Sequence, residues 1–120
     1  VLIKDNHRRL WTSGGLRGLD DAVRTARKKY PGTKIEIEVE SPGELECVLK
    51  ARPDWVLLDN MAPSEMRKCV KLCKGKCLLE ASGGIQMSNI ESVAATGVDA
   101  ISLGCLTHSA AASDFSLELE

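Results

Sequence analysis

Leu79-Glu80-Ala81-Ser82-Gly83-Gly84-Ile85 reads as the end of a buried strand, a turn of small residues and the approach to a helix. Leu78 and Leu79 form the apolar body of the strand. Ser82, Gly83 and Gly84 then set two residues without Cβ side by side, so a ligand can come close to backbone N–H groups. Ser88 and Glu91 have capping-box spacing, which predicts a helix starting near residue 88. A second short-side-chain turn, Ser102-Leu103-Gly104, follows the next apolar run. Two successive glycine turns at strand ends, late in an α/β chain, point to a phosphate site at the mouth of a β/α barrel.

Around that stretch, the composition narrows the class. The 120 residues suffice for one domain with a real core. Sixteen Lys and Arg against 17 Asp and Glu leave a net charge of −1, which gives no footing for nucleic acid or an anionic membrane. Aromatics are 3% of the chain, too few for a base-stacking surface. No run of about 18 apolar residues predicts a membrane span, and no signal peptide opens the chain. The first residue is Val1, and Val1-Leu2-Ile3 reads as the tail of a strand, so the chain is expected to be a piece of a longer protein. Its five cysteines are odd in number and predict no disulfide framework, which suits a reducing cytoplasm. Cys69, Cys73 and Cys77 recur every fourth residue and invite thought of a soft metal. Gly75 should end the helix before Cys77, however, so they read as small apolar or surface thiols.

In chain order, Lys4-Asp5-Asn6-His7 puts four polar residues where a parallel strand leaves its sheet. Leu19 to Tyr30 predicts a helix with Leu19, Ala22, Val23, Ala26 and Tyr30 as its apolar stripe, acidic at its start and basic at its end. Ile35-Glu36-Ile37-Glu38-Val39-Glu40 alternates strictly, with three carboxylates on one face. In a barrel that face points inward, where carboxylates are costly unless a ligand, cation or water meets them. Ser41-Pro42-Gly43-Glu44 is a capping box opening a helix to Ala51. Trp55 to Leu58 is a buried strand with Asp59 and Asn60 at its exit. A helix over 63–73, a strand over 77–80, a helix over 88–95 and a strand over 98–102 follow. Residues 114–120 alternate and predict a C-terminal strand outside the barrel. Repeated βα units of this kind predict an α/β fold, the later part of an incomplete parallel barrel.

The strand exits therefore gather one cation, several carboxylates and two phosphate-type turns, which suits a phosphosugar-binding enzyme. At this point the chain resembles a known family. The stretches Ile3-Lys4-Asp5-Asn6-His7, Ile35 to Glu40, Leu57-Leu58-Asp59-Asn60, Glu80 to Ile85, and Ser102-Leu103-Gly104 with Leu106-Thr107-His108 look like quinolinate phosphoribosyltransferase, over essentially the whole chain. Asp-Phe-Ser-Leu at 114–117 is similar to the family's C-terminal end.

The resemblance implies transfer of a phosphoribosyl group from phosphoribosyl pyrophosphate to quinolinate, with Mg²⁺, giving nicotinate mononucleotide, pyrophosphate and CO₂ in NAD biosynthesis. It implies that Lys4 binds a quinolinate carboxylate. Glu38 and Asp59 would hold the ribose hydroxyls, directly or through Mg²⁺, and stabilise positive charge at the anomeric carbon. Ser82, Gly83 and Gly84, with Ser102, Leu103 and Gly104, would cradle the 5′-phosphate, with His108 nearby. Glu38 is chosen among the three glutamates because its distance in sequence from Asp59 fits the family. The family also uses arginines, a histidine and a further lysine from upstream, partly from a neighbouring subunit, and Arg8 and Arg9 do not map onto them. A dimer, or a hexamer built of dimers, is expected for the full-length enzyme, which also has an N-terminal sandwich domain. The 120-residue chain alone is expected to be inactive or prone to aggregate, because its strand edges would be unpaired. Two alternatives remain: a related pyrophosphorylase-like barrel with another acceptor, and a non-catalytic, truncated assembly module.

Overall fold

A computed structural model describes residues 1–4, 6–7, 18–107 and 115–118. Five parallel strands form one sheet: β1 (Leu2–Ile3), β2 (Glu36–Val39), β3 (Trp55–Asp59), β4 (Leu78–Ser82) and β5 (Ala100–Ile101). Their spatial order is their chain order. Each connection therefore moves one strand onward in the same direction, the winding of a barrel; a doubly wound sheet reverses once. Among the described residues the sheet does not close: β1 pairs with β2 alone and β5 with β4 alone.

Between the strands run α1 (Leu19–Lys29), α2 (Pro42–Val48), α3 (Pro63–Cys73) and α4 (Ile90–Ala94). Local chemistry explains their ends. In α1, Arg24 bonds both first-turn aspartates, Asp20 at 2.6 Å and Asp21 at 2.8 Å, while Arg27, Lys28 and Lys29 meet the negative end of the dipole. At α2, Ser41 Oγ accepts from Glu44 N at 3.3 Å, and Glu44 Oε2 accepts from Glu40 N at 2.9 Å. The capping box thus reaches back one residue further than the motif requires. A 3₁₀ turn, Leu49–Ala51, completes this segment.

The core lies between the sheet and a single layer of helices. Ile35, Ile37, Val39, Val56, Leu58, Leu79 and Ala81 point to the helices and meet Val23, Leu45, Val48, Met66 and Val93. By alternation Glu36, Glu38, Trp55, Leu57, Asp59, Leu78, Glu80 and Ser82 face the other way, toward the barrel interior. Cys69, Cys73 and Cys77 are buried on the helix side. α3 ends at Cys73 with Lys74 and Gly75 both at positive φ, 46° and 72°, so Cys77 lies beyond the helix. Cys73 Sγ donates to Cys77 O at 3.1 Å and lies 3.3 Å from Cys77 Sγ. These thiols are core atoms, and burial raises the pKa of Cys69 to about 11 and of Cys77 to about 12.

Four expectations are corrected. The last helix begins at Ile90 instead of residue 88. Asn89 closes the preceding turn, accepting from Gln86 N at 2.9 Å and donating to Gly84 O at 3.0 Å, and this holds residues 86–89 out of the helix. Tyr30 is 44% exposed and lies past the end of α1, under the Lys29 ammonium and outside the apolar stripe. The fifth strand is shorter than 98–102. Residues 115–118 belong to no strand, and Phe115 and Leu117 are exposed, so the strand expected over 114–120 does not form there.

Candidate functional site at the carboxyl ends of the strands

Parallel register decides which side chains meet. Ile3 pairs with Ile37, so Lys4, one residue on, leaves β1 level with Glu38. Glu38 pairs with Leu57, Val39 with Leu58, and Asp59 with Ser82. The exits of β1 to β4 therefore present Lys4, Glu38, Asp59 and Ser82 along one rim. Lys4 is exposed, while Glu38 is buried with 7% exposure. Among the described residues, Glu38, Glu40 and Asp59 each offer a carboxylate oxygen within 4.8 Å of the others. A set of three hard oxygen donors has the chemistry of a Mg²⁺ site. Glu40, just past the strand and exposed, joins this group although sequence reasoning preferred Glu38 alone. The signal was the strict alternation, which puts both on one face.

The two glycine turns come together as expected. Ser82, Gly83, Gly84, Ser102, Leu103 and Gly104, with Ile85, Gln86, Cys105 and Thr107, line an open cavity of about 620 Å³. The glycines serve different ends. Gly84 has φ of 61° and open space where a Cβ would stand, so it leaves the cavity free. Gly83 has φ of 86°, and a Cβ there would fall 2.3 Å from Asn60 Oδ1 and 2.8 Å from Asn60 N. Its lack of a side chain serves the packing of two strand exits against each other. Gly104 is also open and starts a 3₁₀ turn, Gly104–Leu106. The Ser102 hydroxyl donates to Glu80 Oε1, so this side chain is tied to the interior and the turn offers the cavity mainly its backbone. His108 and Asp5 lie outside the described residues.

Deeper in the interior, Glu36 was recognised only as one of three alternating carboxylates. Its Oε1 is buried without a hydrogen-bond partner. Burial, then the nearby Glu80 carboxylate, pushes its pKa up to about 7. Glu36 and Glu80 come from strands separated by β3, so no spacing in the sequence foretold the pair.

Fold and site together define a parallel α/β domain of the barrel type, with carboxylates and glycine turns at the carboxyl ends of its strands. The chain belongs to the quinolinate phosphoribosyl transferase family: the model of that family's C-terminal domain matches residues 1–118. A probable nicotinate-nucleotide pyrophosphorylase [carboxylating] of Methanothermobacter thermautotrophicus is 42% identical over 99% of this chain and 43% of its own length. The human nicotinate-nucleotide pyrophosphorylase [carboxylating] is 39% identical over 99% of this chain and 40% of its own. The crystal structure of the Ehrlichia chaffeensis nicotinate-nucleotide pyrophosphorylase superposes with a TM-score of 0.82 at 40% identity, over 91% of this chain and 38% of that one. The chain thus spans about two fifths of the length of the relatives it matches.

Proposed function

We propose that the full-length protein carrying this chain is a quinolinate phosphoribosyltransferase of NAD biosynthesis. It converts quinolinate and phosphoribosyl pyrophosphate to nicotinate mononucleotide, pyrophosphate and CO₂. One observation carries this reading: three carboxylates and two glycine turns stand at the same ends of adjacent strands. A phosphorylated sugar needs both at once, with hydroxyl acceptors at one end and backbone donors at the other.

In this reading the 5′-phosphate occupies the cavity between residues 82–84 and 102–104. Glu38 and Asp59 hold the ribose hydroxyls. The pyridine nitrogen forms a bond to the anomeric carbon while the bond from that carbon to pyrophosphate oxygen breaks. Positive charge develops on the ribose in between, and the adjacent carboxylates stabilise it without having to reorganise. Lys4 binds a quinolinate carboxylate. The neighbouring carboxylate then leaves as CO₂, and a proton takes its place on the ring. Glu38, Glu40 and Asp59 fit Mg²⁺, which would supply charge neutralisation to the pyrophosphate. The chain forms the later βα units of a barrel, completed by the rest of the full-length protein with its N-terminal sandwich domain. That protein is a cytoplasmic homodimer or a hexamer built of dimers. Free cysteines support a reducing compartment, and no described helix is long and apolar enough to cross a membrane.

The test is nicotinate mononucleotide formation by the full-length protein, with Lys4→Ala and Glu38→Ala beside it. Each substitution should lower kcat/KM by roughly 10² or more. Turnover that survives both would remove Lys4 and Glu38 from the site, whereas no turnover with quinolinate while phosphoribosyl pyrophosphate still binds in a Glu38-dependent way would replace this reading by a barrel with another acceptor.

A further inference from the structure

Asn60 stands between the two halves of the site and touches both. It follows β3 in the left-handed region, φ 51°, a conformation that asparagine tolerates better than most residues. Its backbone N donates to Ser82 O at 3.0 Å, which carries the β3–β4 ladder one step beyond the Asp59–Ser82 pair. Its side-chain Nδ2 donates to Asp59 Oδ2 at 2.8 Å. The other end of the same amide, Oδ1, lies over Gly83, where a Cβ would come within 2.3 Å of it and within 2.6 Å of Cγ.

Only an amide of this length meets all three demands. An aspartate would set a second negative charge against Asp59 and lose the donor. A glycine keeps the backbone conformation but releases the Asp59 carboxylate. A longer side chain carries its polar atoms past the position from which Nδ2 reaches Asp59 Oδ2.

We infer that Asn60 is a positioning residue that orients the Asp59 carboxylate and seats the Gly83 turn, so that carboxylates and phosphate turn keep a fixed separation. The inference rests on the proposed reading of Asp59 and of the turn as the ribose and phosphate ends of one phosphosugar site. Asn60 meets the turn twice, through its backbone N–H on Ser82 O and through its side chain over Gly83, and the side-chain contact joins the turn to the Asp59 carboxylate.

The experiment is ribose 5-phosphate binding by the full-length protein, measured by calorimetry, with Asn60→Gly, Asp59→Ala and Gly83→Ala alone and in pairs with Asn60→Gly. Asn60→Gly should weaken binding about tenfold, the worth of one hydrogen bond to a charged group. In the Asp59→Ala background the same change should weaken it by clearly less than tenfold, because the carboxylate it orients is gone and only the seating of the turn is lost. Gly83→Ala should cost less in the Asn60→Gly background than in the natural protein, since two of the three closest atoms have been removed. A residue that merely supports the fold would shift Tm and leave both cycles additive. Additive cycles, or unchanged binding by Asn60→Gly, overturn the inference while the functional reading stands. Absence of ribose 5-phosphate binding by the natural protein overturns the functional reading and takes the positioning role with it.

Discussion

Aspartates stand at both ends of the strands, and the two ends use them in opposite ways. At the amino ends, Asp54 and Asp99 repeat one device. Asp54 N donates to Ile35 O at 2.9 Å and its Oδ2 accepts from Ile35 N at 2.9 Å. Asp99 does the same with Leu79, at 2.9 and 2.8 Å. Each aspartate precedes one strand and grips the start of an earlier one, so its carboxylate is spent on a backbone donor that would otherwise go unpaired. Arg27 at 3.1 Å and Lys34 at 3.7 Å add charge to Asp54. At the carboxyl ends, Glu38, Glu40 and Asp59 turn toward one another. A cavity of about 730 Å³ does open at the amino ends, larger than the one between the glycine turns, yet its acids are committed to the fold. Cavity size is therefore a poor guide here, and the fate of the carboxylates is a better one.

Substitution at each end should sharpen this contrast. Asp54→Ala leaves Ile35 N without its partner and should cost about 2 kcal/mol of unfolding free energy, read by denaturant titration, with turnover per folded molecule of the full-length protein retained. Glu40→Gln should not lower stability, because a mutual repulsion is relieved, yet should weaken Mg²⁺ binding measured by calorimetry. A stability loss for Glu40→Gln equal to that of Asp54→Ala would erase the distinction.

A smaller effect separates the ends by pH. Three partners hold Asp54 below its ordinary value, the Ile35 backbone bond first, then Arg27 and Lys34, so its contribution is present at neutral pH and lost as pH falls through the acid range. Glu36 behaves in the opposite sense. The folded chain keeps its proton up to about pH 7, whereas the unfolded chain releases it near 4.5. Stability should therefore decline as pH rises through that window, and Glu36→Gln should flatten the decline in a series of thermal melts. An unchanged slope in the variant would mean that another group titrates there. Smallest of all, the buried thiols should be silent. Cys69 and Cys77, with pKa values near 11 and 12, should resist alkylation at pH 8 in the folded protein and react only on unfolding, as read by mass spectrometry.

Much of this was legible in the residues themselves. Strict alternation over 35–40, apolar runs over 55–58 and 78–79, and Ser-Pro or Ala-Pro helix starts are local signals, and local signals specify strands, helices and the inward face of each strand. Because a parallel βα pattern aligns all carboxyl ends, those signals also foretold that Lys4, Glu38, Asp59 and the two glycine turns would share one rim. What the chain did not disclose depends on contacts between residues far apart in sequence. The start of α4 was misjudged because Asn89 reaches back to Gly84 and holds the intervening residues in a turn. Nor does the sequence disclose that Asn60 lies over Gly83, a glycine that also lines the cavity. Periodicity can say which way a side chain points, but register and close packing alone decide what it meets there.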